Sequence, residues 1–403
     1  MKFGQKLGLF EDFKEFKLKM KKVEYTVHQK LMVIMMSIMI GCKTTKDINE
    51  KLGIEKLVLS MFGMERCPDQ SQINEVIRRF DERSIEQLEE IHEKQFIENS
   101  KSLETREKIV IDVDQTGLIE NGQNYELAEK GYFSKKKNQK GYQMLAAYTG
   151  KETETIAMTL DSGNTHCTEH HEDMVKKIVK MYEEKIDNEE VIIRTDSGFG
   201  TGKIIEMMEG IPKIKFITKT YSSVEAKKIG EKIEYKEYEK AGNRAWVYEI
   251  EDEGSELRHI IVKVLTKKMT YEYSMLITNI SKAEKRAIEL FKFYNERQTI
   301  EAFFKITKNV YHIKNLRTKK FYGIYGFLWI VFITHNIISL FKETMLGGTE
   351  LGKEGMKVLV EKVGQIQGFV KRLKEVIQIR IPKMTKLRKL ILEAICNENP
   401  IAT

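Results

Sequence analysis

The spacing of apolar positions divides the chain into helical and strand-like stretches. Residues 1–103 keep a helical period throughout. Lys14, Lys17, Lys19, Lys21 and Lys22 crowd the segment before an apolar helix at 28–40, which Gly41 ends. Thr44-Thr45-Lys46-Asp47 has the form of a capping box opening a short helix to Leu52. A second cap at Pro68-Asp69-Gln70-Ser71-Gln72 starts a helix with Ile73, Val76, Ile77 and Phe80 on its inner face. Residues 84–100 continue as a charged helix.

At residue 108 the period changes to two. Lys108-Ile-Val-Ile-Asp-Val-Asp-Gln-Thr116 is β-branched and alternating, which predicts a strand ending with Asp112, Asp114 and Thr116 on one face. A basic loop, Lys135-Lys136-Lys137-Asn138-Gln139-Lys140, leads into a hairpin of 140–148 and 153–160 around Thr149-Gly150-Lys151. A helix at 168–185 follows, then an apolar strand, Val191-Ile-Ile-Arg-Thr-Asp196. A turn with Gly198, Gly200 and Gly202 opens a helix at 203–208, and 213–219 is the next strand. Strand, hairpin, helix, strand, helix, strand describes an α/β chain with a mixed sheet and packed helices. Ligands of such sheets gather at the carboxyl ends of strands, where Asp114 and Asp196 are expected.

Residues 222–281 form a β-rich insertion of four short alternating runs, at 232–238, 244–251, 258–265 and 271–278. Ser281-Lys282-Ala283-Glu284 is a capping box that returns the chain to helix. Read as one helix, residues 291–308 carry Tyr294, Arg297, Glu301 and Lys308 on one face and Ile300, Phe303, Phe304 and Ile306 on the other. Residues 316–341 are apolar and helical, and 352–403 read as a basic helical tail with Lys371, Arg372, Lys374, Arg380, Lys383, Lys386, Arg388 and Lys389.

Composition narrows the partners. The 403 residues are 32% charged and 41% hydrophobic with a net charge of +8, which permits a polyanionic partner. Four scattered cysteines without a CxxC pair argue against both a disulfide framework and a thiolate zinc site. His166, His170 and His171, the one histidine cluster, read as surface or capping residues. The start of the chain lacks a signal-peptide core, and the apolar runs at 31–40 and 326–341 are too short to span a bilayer, so a cytoplasmic protein without membrane contact is expected.

The candidate chemistry is a set of carboxylates. Asp114, Asp196 and Glu301 offer oxygen ligands suited to two Mg²⁺ ions, which clamp the attacking and leaving oxygens of a phosphodiester displacement. Asp112 remains the alternative to Asp114 as first ligand. Arg297 and Lys308 beside Glu301 suit phosphates, although i, i+4 ion pairs on a solvated face would leave the same pattern. Ser71, Gln72, Asn74, Arg78 and Arg79, at and beyond a helix start, suit base edges and backbone phosphates.

These residues also carry a resemblance. Tyr294, Arg297, Glu301 and Lys308 match a Tyr-x2-Arg-x3-Glu-x6-Lys signature, Asp114 and Thr116 follow an apolar strand, and Asp196 follows another. On these motifs the chain resembles bacterial insertion-sequence transposases of the D-D-E superfamily. The 105 residues between Asp196 and Glu301 (301 − 196) leave room for the β-rich insertion that such proteins carry.

The resemblance implies an RNase H-like core that cuts at transposon ends and joins the 3′-hydroxyl to target DNA. The metal and catalytic ligands would be Asp114, Asp196 and Glu301, with Mn²⁺ able to replace Mg²⁺. Tyr294, Arg297 and Lys308 would hold phosphates, joined by Arg78 and Arg79 on the DNA-binding domain. Trp246, the lone insertion tryptophan, is left as packing. The partners would be double-stranded DNA, both inverted repeats and target, and a second copy of the chain, because two ends must be held together. The expected organisation is a helical DNA-binding domain at 1–103, core at 104–221, insertion at 222–281, core again at 282–345 and the tail at 346–403, in a cytoplasmic, nucleoid-associated protein. An RNase H-like nuclease without strand transfer, or a DNA-binding protein with an inactive core, are the alternatives.

Overall fold

The computed structural model describes residues 1–21, 24–133, 136–251, 254–366, 369–373, 376–380 and 387–391. They fall into two compact units. One comprises Met1–Ser100, Gly122–Glu126 and the chain from Phe304 onward; the other comprises Lys101–Asn121 and Leu127–Phe303.

The second unit is built on one mixed sheet. Its strands are β1 (Ile109–Ile119), β2 (Glu129–Phe133), β3 (Lys136–Thr149), β4 (Glu154–Ser162), β5 (Val191–Thr195), β6 (Lys215–Lys219), β7 (Glu239–Gly242), β8 (Ala245–Ile250), β9 (Arg258–Leu265) and β10 (Tyr271–Thr278). They are ordered β2-β3-β1-β5-β6-β10-β9-β8-β7, with β4 on β3. The centre is parallel, β1 with β5 and β5 with β6, and the flanks are antiparallel. All five residues of β5 are buried, as expected of a parallel strand covered on both faces. This is the mixed sheet of an α/β chain expected from the element order.

Two details differ from the sequence reading. Residues 136–140, read as loop, belong to β3, where they pair with β2. Residues 232–238 are not a strand; they hold a short 3-10 turn at Tyr235–Glu237, and the edge strand comes later as β7. β10 pairs directly with β6, so β7 to β10 prolong the central sheet.

The helical unit centres on Phe321–Leu346, which packs against Val27–Met39, Gln70–Arg78 and Glu82–Asn99. Phe321–Leu346 is long and apolar enough to cross a membrane, yet 78% of its most apolar window is buried inside the fold. The second cap forms as read: the Asp69 carboxylate accepts from the Ser71 and Gln72 N–H groups, and the Gln72 side chain accepts from the Asp69 N–H. The first does not. Asp47 accepts from the Lys43 N–H at 2.7 Å and the Thr44 hydroxyl at 2.9 Å, and the short helix begins at Ile48. In the tail, Phe369–Leu373 and Val376–Arg380 pair as an antiparallel hairpin where the pattern reads as helix. Lys374, Lys383 and Lys386 lie outside the described residues.

Gly323 lets the long helix approach the helix Gln70–Arg78. A Cβ there would stand 2.5 Å from the Ile77 carbonyl oxygen. Helix propensity alone favours alanine by about 1 kcal/mol. The clash is with backbone and cannot rotate away, so its cost of about 1–3 kcal/mol should outweigh that gain and leave a net loss of up to about 2 kcal/mol. Gly323→Ala should therefore lower the thermal midpoint followed by far-UV circular dichroism; a raised midpoint would show that the contact gives way.

Candidate active site

The sheet register brings the first two carboxylates together. In the parallel pairing of β1 with β5, Val113 is opposite Thr195. The residues that follow, Asp114 and Asp196, are therefore neighbours on adjacent strands. Asp196 stands just beyond the end of β5, as expected. Asp114 does not end its strand, because β3 continues to pair with β1 as far as Ile119. What ends near Asp114 is the pairing with β5. Ala146 lies opposite Asp114 on β3, a small residue beside the carboxylate.

The presumed single helix at 291–308 is two helices, Ala287–Asn295 and Gln298–Asn309. The break has a tertiary cause. The guanidinium of Arg194 donates to the Phe293 carbonyl, the acceptor that Arg297 N–H would use in a continuous helix. The Arg297 N–H bonds the Tyr294 carbonyl instead, at 3.1 Å, and the chain turns at Glu296 and Arg297. Tyr294 therefore ends one helix, Arg297 sits in the turn, and Glu301 lies in the first turn of the next helix.

That turn aims Arg297 at the aspartates. Its guanidinium is 2.9 Å from Asp114 Oδ2 and 3.5 Å from Glu301 Oε1, bridging the two carboxylates. Burial opposes the charge on Arg297, but Asp114, Tyr294 and Asp196 hold its pKa above the ordinary value. Burial pushes the Asp114 carboxyl up to about 6; Arg297 pulls it down, and the charge of Asp196 pushes it further up. Burial likewise pushes the Tyr294 phenol up to about 12. Glu301 is the most open member, its side chain half exposed. Asp196 also closes its own turn: Oδ1 accepts from the Gly198 N–H at 2.8 Å.

Asp112, the alternative first ligand, is fully buried and engaged by other groups. Arg194 Nε donates to its Oδ1 at 2.5 Å and Nη2 to Oδ2 at 3.0 Å, and the Thr299 hydroxyl donates to Oδ2 at 2.6 Å. Sequence reasoning missed Arg194 and Thr299. The signal for Arg194 was present: a charge inside the run Val191-Ile-Ile-Arg-Thr must find a buried partner. Cys167 was also missed. Its thiol donates to the Gly198 carbonyl at 3.3 Å, and burial, with the charge of Asp196, pushes it up to about 11.

Lys308 is on the Glu301 helix but belongs to the helical unit. In that unit Arg78 is exposed, while Arg79 donates from Nε and Nη2 to the single oxygen Glu75 Oε1 at 3.0 and 2.8 Å. Of the three histidines, His166 is exposed and His170 stands at the N-cap of the helix His171–Met181, as read, but His171 is not at the surface. His171 is fully buried against the Phe199 ring, 4.9 Å away, and burial brings it down to about 4. His170 Nε2 is 3.0 Å from Asp161, and His166 Nδ1 is 2.8 Å from the Thr168 hydroxyl. Trp246 stands among Tyr235 and Tyr271, with ring centroids 5.9 and 6.1 Å away.

Among the described residues no three His, Cys, Asp or Glu side chains are arranged as a ready metal cage. The donor chemistry nonetheless fits a hard divalent cation. Asp114, Asp196 and Glu301 supply only oxygens, two of them mutually repelling, and Arg297 provides the counter-charge.

A family model described as the transposase DDE domain, group 1, matches residues 1–398. The chain belongs to that family: it is a DNA transposase, an enzyme that breaks and rejoins DNA phosphodiester bonds. Such enzymes use divalent metal ions, and DNA is the partner. Among curated proteins none matches the chain. Among solved structures, the chain is similar to a piggyBac transposase synaptic complex with hairpin DNA, at 11% identity and a TM-score of 0.45, over 89% of this chain and 75% of that one. It is also similar to the Mos1 transposase paired-end complex with left transposon end, at 12% identity and a TM-score of 0.18, over 50% and 62%.

The raised Asp114 value carries a pH signature. The folded protein binds that proton more tightly than the unfolded chain, whose value is 3.8. The resulting stabilisation is complete below 3.8 and lost as pH rises through about 6. In metal-free protein, the stability advantage of Asp114→Asn over wild type should therefore grow between pH 4 and 7, by an amount on the order of 2–3 kcal/mol. Denaturant titrations at both pH values check this, and a constant difference would contradict it.

Proposed function

We propose that Asp114, Asp196 and Glu301 are the catalytic carboxylates of this transposase, and that they hold two Mg²⁺ ions. The observation that carries the reading is the convergence of three distant segments: β1 and β5 set two carboxylates side by side, and Arg297 joins one of them to Glu301. When bound, the cations activate the attacking oxygen and stabilise the leaving one. The residues of the chain supply the rest. Asp114, Asp196 and Glu301 provide negative charge at one end of the parallel sheet. Arg297 neutralises that charge until DNA and cation arrive, and then offers its guanidinium to a phosphate. Tyr294, with its phenol held protonated, donates a hydrogen bond to a phosphate oxygen, and Lys308 adds a cation further along the helix. Asp112 is a structural carboxylate in this reading, with both oxygens engaged by Arg194 and Thr299.

The helical domain at 1–103 binds the inverted repeats through the helix Gln70–Arg78. Arg78 is free to reach a phosphate. Arg79 must exchange Glu75 for DNA, a small cost because exposed ion pairs are worth roughly 0–1 kcal/mol. The core at 104–221 and 282–345, with the insertion at 222–281, performs cleavage and strand transfer, and the basic tail at 346–403 assists a homodimer on DNA. The protein works in the cytoplasm, on the nucleoid.

The test uses DNA carrying the cognate ends. Wild type should cleave with Mg²⁺ or Mn²⁺, lose activity to a chelator, and join precut ends to a target. Asp196→Ala should remove both steps while retaining end binding in a gel-shift assay. Full cleavage by Asp196→Ala would end the carboxylate assignment, and cleavage without joining by wild type would make the protein a nuclease.

A further inference from the structure

Beneath the three carboxylates lies a second set of residues. Arg194 and Asp112 form a two-toothed ion pair across β5 and β1, at 2.5 and 3.0 Å, and both side chains are almost fully buried. Thr299 Oγ1 adds a hydrogen bond to Asp112 Oδ2 at 2.6 Å. Arg194 also donates to the Phe293 carbonyl and stacks on the Phe293 ring, 5.0 Å from its centroid. Four segments thus meet at one buried charge pair: β1, β5, the end of the helix Ala287–Asn295 and the start of Gln298–Asn309.

The spacing is the same in each arm. Asp114 is two residues after Asp112, Asp196 two after Arg194, and Glu301 two after Thr299. On strands, two residues return the side chain to the same face, so each aspartate is carried on the face that its anchor fixes. Thr299 is itself wedged: a Cβ on Gly150, in the β3–β4 turn, would lie 2.5 Å from Thr299 Cβ. The helix start therefore cannot slide toward the sheet or lift from it without breaking the hydrogen bond.

We infer that Asp112, Arg194 and Thr299 are positioning residues, a bracket that sets the separation of the three catalytic carboxylates. This rests on the assignment of Asp114, Asp196 and Glu301 to the reaction. The bracket touches neither DNA nor cation. It acts by fixing where β1, β5 and the Glu301 helix lie relative to one another, within the few tenths of an ångström that a metal-dependent site tolerates. Thr299 is its most informative member, because the hydroxyl can be removed without changing the shape of the side chain.

The experiment compares full-length wild type with Thr299→Val and Thr299→Ser, and with Asp196→Ala as reference. Mn²⁺ binding is read by titration calorimetry, cleavage on cognate ends by gel, and folding by thermal melting. Thr299→Val should melt within a few degrees of wild type, bind Mn²⁺ about 10–100-fold more weakly and lose cleavage in kcat by a similar factor, with the KM for DNA unchanged. Thr299→Ser should recover most of both. The double variant Asp112→Leu/Arg194→Met, which replaces the buried pair by apolar groups, should fold yet bind Mn²⁺ as weakly as Thr299→Val. Wild-type Mn²⁺ affinity and kcat in Thr299→Val or in a folded double variant would overturn the bracket. If Asp196→Ala is inactive at the same time, the assignment of the carboxylates survives. An active Asp196→Ala would instead remove the assignment on which the bracket depends.

Discussion

A guanidinium inside a sheet must be matched in charge and in hydrogen bonds, or the fold does not close. Arg194 is met on all sides: Asp112 takes two donors, the Phe293 carbonyl takes another, and the ring of Phe293 covers the face. Those demands fix the neighbourhood. They hold β1 beside β5, stop the helix at Asn295 by occupying one of its carbonyls, and turn Arg297 toward Asp114. The break in the helix thus follows from one strand residue about a hundred positions earlier in the chain.

Electrostatics in the site follow from the same frame. Asp112 and Asp114 sit on one face of β1, two residues apart, yet they differ. Asp112 is matched by a permanent cation inside the protein. Asp114 is near-buried, shares its cation with Glu301, and faces Asp196. Asp112 is neutralised inside the protein, whereas Asp114, held by the Gln115 N–H and Arg297, still has its carboxyl pushed up by burial and by the charge of Asp196.

Much of this was legible in the sequence. β1 and β5 declared themselves through β-branched apolar runs, whereas their register came only from the structure. The order of the carboxylates and the signature Tyr294, Arg297, Glu301 and Lys308 were readable as letters. Their geometry was not. Residues 291–308 have good helical periodicity throughout, yet the chain turns where Arg194 and the Glu296 N–H share the Phe293 carbonyl. The insertion could be counted as strands, but joining β10 to β6 depends on a pairing between positions more than fifty residues apart, which period-two patterning cannot register. His171 looked like part of a polar cluster because its neighbours are polar in sequence; in space it lies against Phe199. The basic tail misled for a related reason, since alternating Lys, Arg and aliphatic residues at 369–380 serve a hairpin as well as a helix.

The continuity of β7 to β10 with the core sheet has a consequence for how the protein is made. β10 docks on β6, and only after it does the chain reach Phe293, Thr299 and Glu301. On a ribosome, β1 and β5 emerge long before the residues that complete their charge pair, and such distant pairings form slowly. A polypeptide cut short between residues 196 and 293 holds Asp114 and Asp196 but lacks both Arg297 and the carbonyl that satisfies Arg194. Copies of the gene that terminate in that interval would therefore yield chains in which the buried Arg194 lacks one of its acceptors.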